Sequence, residues 1–137
     1  MLFGVGLALF FSEPKDLLEF SAVLFSGLFG STVPDWDLKL THRSLLHNTF
    51  VPLLTSSILY IAMLITNTSF SFTIASSYLI SYFSHILLDL LTGGVVLFYP
   101  ICDKTFYIMK RRYDDQATNT LAAAAGLALI LVKTRLH

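Results

Sequence analysis

The sequence predicts an all-α, polytopic membrane bundle with about four to five hydrophobic helices. Three observations carry that expectation. Hydrophobic side chains make up 55% of the 137 residues and charged ones only 13%, too few charges to coat a soluble globule. Mean hydropathy is +0.70. The apolar residues also gather into stretches of helical length separated by short polar breaks. At this length a single membrane-embedded helical domain over residues 1–137 is expected. Nine basic and nine acidic residues cancel, so no net field favours a nucleic-acid partner. Cys102 is the sole cysteine, which excludes an internal disulfide and a Cys-based metal site.

Taken in order, Met1 to Phe11 is apolar but shorter than the roughly 20 residues a span needs, and it has neither a basic start nor an Ala-x-Ala-like cleavage site. It reads as a span missing its beginning. Ser12-Glu13-Pro14-Lys15-Asp16 is a polar break, with Ser12 as N-cap candidate and Pro14 where a helix can begin. A second helix is expected from about Asp16 to Val33, where Gly27 and Gly30 offer a smooth surface for a neighbouring helix and Pro34 ends the element. A polar loop follows. The third span is expected over Asn48 to Ile65, Pro52 being tolerated near its start because neighbouring helices satisfy the freed carbonyl. Asn67-Thr68-Ser69 makes a short turn.

The fourth helix, Phe70 to Leu91, carries the sharpest pattern. Ser77, Ser81, His85 and Asp89 recur every four residues, with Ser84 beside them, so one stripe of an otherwise lipid-compatible helix is polar and must face the protein interior. An unpaired aspartate at the bilayer centre costs about 2.5–3.5 kcal/mol. Placement near the helix end, beside partners, relieves that cost. Thr92-Gly93-Gly94 breaks the helix, Val95 to Pro100 is a short apolar run able to re-enter the interface, and Asp103 to Gln116 is solvated. Leu121 to Val132 is an Ala-rich apolar stretch too short to be a strong span candidate.

Crossing parity turns these pieces into a site. If the second helix ends at one membrane face, the third leaves that face and the fourth returns to it. His85 and Asp89 then meet the upstream block of Asp35, Asp37, His42, Arg43 and His47. The same face gathers Lys39, Arg43, Lys104, Lys110, Arg111 and Arg112, against Lys15, Lys133 and Arg135 opposite, so the positive-inside tendency turns the site toward the cytoplasm. Trp36 reads as an interfacial belt residue and Lys110-Arg111-Arg112 as topology or lipid-surface electrostatics.

Imidazoles and carboxylates together suit a borderline divalent metal. Zinc leads, with manganese or iron as alternatives. The candidate ligands are Asp35, Asp37, His42, His47, His85 and Asp89. His42 fits in the loop and His47 in the first turn of the third helix, with Ser44 as its N-cap. A metal with an open position acidifies bound water and polarises a phosphoryl or carbonyl oxygen, which makes hydrolysis the natural reaction class. Asp35 or Asp37 then serves as base or holds an imidazole in its tautomer, and Arg43 clamps a phosphate or carboxylate.

Three blocks also carry a family likeness: Gly30-Ser31-x-x-Pro34-Asp35-x-Asp37, His42-Arg43-x-x-x-His47, and Ser84-His85-x-Leu87-Leu88-Asp89-Leu90-Leu91-Thr92-x-Gly94, closed by Pro100. Over residues 27–100 the chain resembles the LexA-regulated, membrane-bound metal-dependent hydrolase-like proteins of prokaryotic inner membranes. The resemblance implies a multi-pass inner-membrane protein and places ligand roles on the same six residues. The family pattern also has a histidine near the start of the first helix, which Met1-Leu2-Phe3-Gly4 lacks, so the expectation is either a shortened start or one ligand fewer. Leu38 stands where histidine is frequent, and Leu46-His47-Asn48 replaces threonine-histidine-serine.

The functional expectation is a membrane metal-dependent hydrolase acting on a lipid-like or membrane-proximal, phosphoester-type substrate at the cytoplasmic interface, with membrane lipids as its surroundings. The rival from another class is a non-enzymatic membrane protein whose cluster binds metal structurally or staples helix ends. A transporter using His85 and Asp89 as an ion relay is weaker, because the stripe turns apolar below Ser77.

Overall fold

A backbone in lipid must satisfy its own hydrogen bonds, and this chain does so with helices. The computed structural model describes residues 1–39, 45–66, 68–108 and 116–136, without the side chains of 37–39 and 136. In order it has α1 (Leu2–Ser12), α2 (Leu17–Thr32) continued by a 3₁₀ turn (Val33–Lys39), α3 (Phe50–Ile65), α4 (Ser71–Thr92) and α5 (Gln116–Leu136). Leu17–Trp36, Ser71–Thr92 and Gln116–Arg135 are long and apolar enough to cross a membrane, whereas α1 and α3 are shorter apolar helices. The helical membrane bundle expected from composition is therefore the observed fold.

Helix boundaries follow local chemistry. Ser12 caps nothing ahead of it: its hydroxyl turns back onto the Ala8 carbonyl at 2.7 Å, inside α1. The cap of α2 is Asp16, whose carboxylate accepts the Glu19 amide at 2.7 Å, while Glu19 reaches back to the Lys15 amide at 2.9 Å. Pro34 does not stop the chain from turning; it sits second in the 3₁₀ turn, early enough that its missing N–H and fixed φ are tolerated. The expected loop after α2 is thus, through Lys39, a tight continuation of that helix. Pro52 lies in the first turn of α3, where amide groups have no intrahelical acceptor, so no carbonyl is freed and no neighbour need repair it. The C-terminal helix is longer than its apolar core suggests, because Gln116-Ala117-Thr118-Asn119-Thr120 and the residues after Val132 extend it at both ends.

Packing is organised around α4. Helix α2 runs parallel to it, with Ser26 Oγ on the Ile74 carbonyl at 2.7 Å and Ser81 Oγ on the Gly27 carbonyl at 2.6 Å. Helix α3 runs antiparallel, with Ser56 Oγ on the Ala75 carbonyl at 3.1 Å. Interhelical hydrogen bonds of this kind contribute about 0.6 kcal/mol each on average, so close backbone packing carries much of the association. Gly30 shows why: a Cβ there would overlap the Tyr78 carbonyl oxygen. Helix α1 packs against α2, α4 and α5. On α5 the contact is between glycines, a Cβ on Gly6 falling 2.6 Å from the Gly126 carbonyl oxygen. Two apolar clusters complete the interior, Val5, Ala8, Leu9 and Val23 in one, Tyr78, Tyr82, Ile86 and Val95 in the other.

Crossing parity holds for the described helices. The Asp35 end of α2, the start of α3 and the Asp89 end of α4 lie together, and Lys15 and Lys133 meet at the opposite end around the α1–α2 connection. Replacing Gly30 by valine should cost about 1–3 kcal/mol through backbone displacement. A lowered unfolding midpoint in detergent checks it, and an unchanged midpoint would show that α2 and α4 do not pack at this glycine.

Candidate metal centre

Three elements deliver the site. Asp35 stands in the 3₁₀ turn that prolongs α2, His47 in the bend before α3, and His85 and Asp89 in the last two turns of α4. The bend is anchored from several sides. Tyr82, fully buried, donates its hydroxyl to the Leu46 carbonyl at 2.7 Å. Asn48 donates Nδ2 to the Leu45 carbonyl at 2.7 Å, and its Oδ1 accepts the Phe50 and Val51 amides at 2.9 and 3.0 Å, capping α3. Thr49 adds its amide and hydroxyl to the Leu97 carbonyl at 3.0 and 2.9 Å. His47 consequently precedes the helix instead of opening its first turn, and Asn48 supplies the cap expected of Ser44.

The distances describe one constellation. His47 Nε2 lies 3.0 Å from Asp89 Oδ2, and His85 Nε2 lies 3.5 Å from the same oxygen and 3.4 Å from Asp35 Oδ1. The imidazole centroids are 5.7 Å apart, inclined at 61°. Ligand-type atoms of Asp35, His47 and His85 all fall within 4.8 Å of one another. Side-chain exposure rises from 5% at His47 and 14% at His85 to 35% at Asp89 and 43% at Asp35, so the cluster opens on its carboxylate side.

The hydrogen bond that decides the chemistry is on the other nitrogen of His85. Nδ1 lies 2.9 Å from the Ser31 carbonyl oxygen, which can only accept, so Nδ1 carries the proton. In the neutral ring Nε2 is then a bare lone pair, and it faces two carboxylate oxygens. Acceptor against acceptor is repulsive unless a cation stands between them or the ring takes a second proton. The 3.4 and 3.5 Å separations exceed the 2.7–2.9 Å usual for an imidazolium–carboxylate hydrogen bond. The His85–Asp35 separation is close to the edge, about 3.3 Å, of a tetrahedron with metal–ligand bonds of 2.0–2.1 Å. The donor set therefore fits a borderline divalent ion.

Electrostatics add to the fit. Helices end with carbonyls and a negative pole. The end of α2 offers the Ser31 carbonyl, and α4 closes one turn beyond Asp89, whose carbonyl accepts the Gly93 and Gly94 amides at 2.8 and 2.9 Å. Two negative poles thus converge with two carboxylates. The expected polar stripe of α4 is buried, but its serines do not form a relay. Ser77, Ser81 and Ser84 donate to the Thr73, Gly27 and Ser81 carbonyls, so each hydroxyl proton is committed to backbone.

Of the six residues expected to ligate, Asp35, His47, His85 and Asp89 are brought together. His42, Arg43 and the Asp37 side chain lie outside the described residues. Sequence reasoning missed Ser31, Tyr82 and Asn48 as positioning groups. Tyr82 was discoverable, because it shares the 78, 82, 85, 89 stripe of α4; the Ser31 carbonyl was not, since any residue supplies one. A comparison with family models matches residues 1–136 to the one described as YdjM inner membrane protein. No curated protein and no solved structure matches the chain. Removing the Tyr82 hydroxyl in Tyr82→Phe should cost about 0.5–1.5 kcal/mol through loss of its hydrogen bond to the Leu46 carbonyl. Hydrogen exchange at the Thr49 and Phe50 amides should accelerate with it, and unchanged exchange would show that the bend is held elsewhere.

Proposed function

The chain belongs to the YdjM inner membrane protein family, as a multi-pass protein of that membrane, and from this premise we propose that its histidine–aspartate cluster is a metal-dependent hydrolytic site. Its substrate is a lipid-like phosphoester met at the cytoplasmic interface. One observation carries the reading: His85 gives its Nδ1 proton to the Ser31 carbonyl while Nε2 confronts the Asp35 and Asp89 carboxylates. A cation between these acceptors would satisfy all three. Hydrolysis and LexA regulation draw their support from the motif resemblance, the membrane-proximal phosphoester substrate from metal chemistry at the end of a membrane bundle, and the cytoplasmic orientation from the distribution of lysine and arginine.

In this reading Asp35, His47 and His85 hold the ion, with zinc best matched to mixed nitrogen and oxygen donors and manganese or iron as alternatives. The bound ion would supply Lewis acidity toward a phosphoryl oxygen and acidify water. The Ser31 carbonyl keeps His85 in the tautomer whose Nε2 is free to ligate. Asp89 places Oδ2 against both imidazoles and is open on its outer side, which suits it to take a proton from entering water. Arg43, four residues before His47, is assigned to clamp the phosphate, and Asp37 and His42 to complete the donor set.

A second reading rests on the 3.0 Å contact between His47 Nε2 and Asp89 Oδ2, an ordinary hydrogen-bond length. In it the cluster staples the ends of α2, α3 and α4 without chemistry. Elemental mass spectrometry of detergent-purified protein separates the two. Near-stoichiometric transition metal is expected in the wild type and at least tenfold less in His85→Ala and His47→Ala. A wild type without metal after controlled reloading would leave the staple and sink the hydrolase. Asp89→Asn should keep most of the metal while slowing hydrolysis of bis(4-nitrophenyl) phosphate by about 10²–10⁴-fold.

A further inference from the structure

Helices α2 and α3 both pack on α4 but scarcely touch each other. Between them a groove of about 300 Å³ runs along the bundle perimeter, walled by Ala22, Phe25 and Phe29 on one side and Leu59 on the other, with Ile74 and Tyr78 of α4 as its floor. Its interior presents carbon alone, because the hydroxyl of Ser26 is turned onto the Ile74 carbonyl. We propose that this groove seats one acyl chain of a phospholipid whose phosphate lies at the Asp35–His47–His85–Asp89 cluster, a reading that rests on the hydrolytic site proposed above and names its substrate as a glycerophospholipid.

Three observations commit the groove to that occupant. First, groove and cluster share a stripe of α4, positions 74, 78 and 82 leading by helical spacing to His85 and Asp89, while the 3₁₀ turn that prolongs α2 beyond Phe29 carries Asp35 to the same end. Second, the depths agree. Tyr78 and Phe29 lie about 10 Å below His85 and Asp35, two helical turns. The polar layer of a bilayer is about 5–8 Å thick on each side, so a phosphate at the cluster starts its chain near the groove mouth. Trp36, beside Asp35 and 62% exposed, is the residue type that settles at that boundary. Third, the groove is too small for protein. A helix about 10 Å across would stand largely outside a groove of this volume, whereas a single hydrocarbon chain is slender enough to enter.

The test uses the full-length protein in phosphatidylglycerol vesicles doped with phosphatidylglycerol bearing a diazirine in one acyl chain. After irradiation, peptide mapping should find adducts on Phe25, Phe29 and Leu59 at least fivefold above those on Leu127 and Leu131, which are exposed on α5. Ala22→Trp, filling one wall, and Leu59→Trp, filling the other, should each reduce the groove adducts at least fivefold while leaving adducts on α5 and the metal content unchanged. Equal labelling of groove and α5, or labelling that neither tryptophan reduces, overturns the acyl-chain assignment even where metal is present. Groove-specific labelling of a protein without metal upholds the lipid seat and refutes the hydrolytic reading instead.

Discussion

The bundle depends on one close contact, the parallel approach of α2 and α4 at Gly30. Because a side chain there would strike the Tyr78 carbonyl oxygen, only glycine lets the two backbones come so near. In lipid this kind of fit matters more than in water, since apolar side chains gain little by leaving one hydrocarbon for another. The contact also fixes register. With Gly30 against Tyr78 and Ser26 on Ile74, the next turns bring the Ser31 carbonyl to His85 Nδ1 and Asp35 to His85 Nε2. The packing that holds the bundle therefore sets the tautomer and the neighbours of the histidine at its end.

A parallel pair has an electrostatic consequence that an antiparallel pair lacks. Both negative poles point to the same end of the bundle, and Asp35 and Asp89 stand there with His47 and His85 against them. Two imidazoles are the described counterweight, and in their neutral form they bring lone pairs, not charge.

Much of the site was legible in the sequence because it follows from spacing and parity. The four-residue recurrence of Ser77, Ser81, His85 and Asp89 identified a buried stripe, and counting crossings put Asp35 and His47 beside it. What the spacing did not reveal was how the serines are used. A serine at helical period looks the same whether it lines a path or closes a contact, and here each hydroxyl is absorbed by a backbone carbonyl. Helix boundaries were misjudged where the local cue was ambiguous. Ser12 precedes a proline as an N-cap would, but Asp16 stands three residues ahead of Glu19 and completes the reciprocal cap. The length of α5 was underestimated because Gln116, Asn119 and Lys133 interrupt its hydropathy without interrupting its helix.

The two halves of the bundle carry different loads. Helix α5 leans on α1 through Gly6 and Gly126, and α1 in turn lies against the serines of α4, a Cβ on Gly4 falling 2.5 Å from the hydroxyls of Ser81 and Ser84. The face of α4 turned to α1 is thus filled at the level just below His85. The face turned between α2 and α3 is not, and there the apolar groove lies, on the Ile74 and Tyr78 floor two turns below His85. Behind the cluster α1 closes α4, and in front Asp35 and Asp89 are its more exposed members. On the hydrolytic reading this gives the reactants separate approaches, water from the exposed carboxylate side and an acyl chain from the apolar groove lower on the bundle.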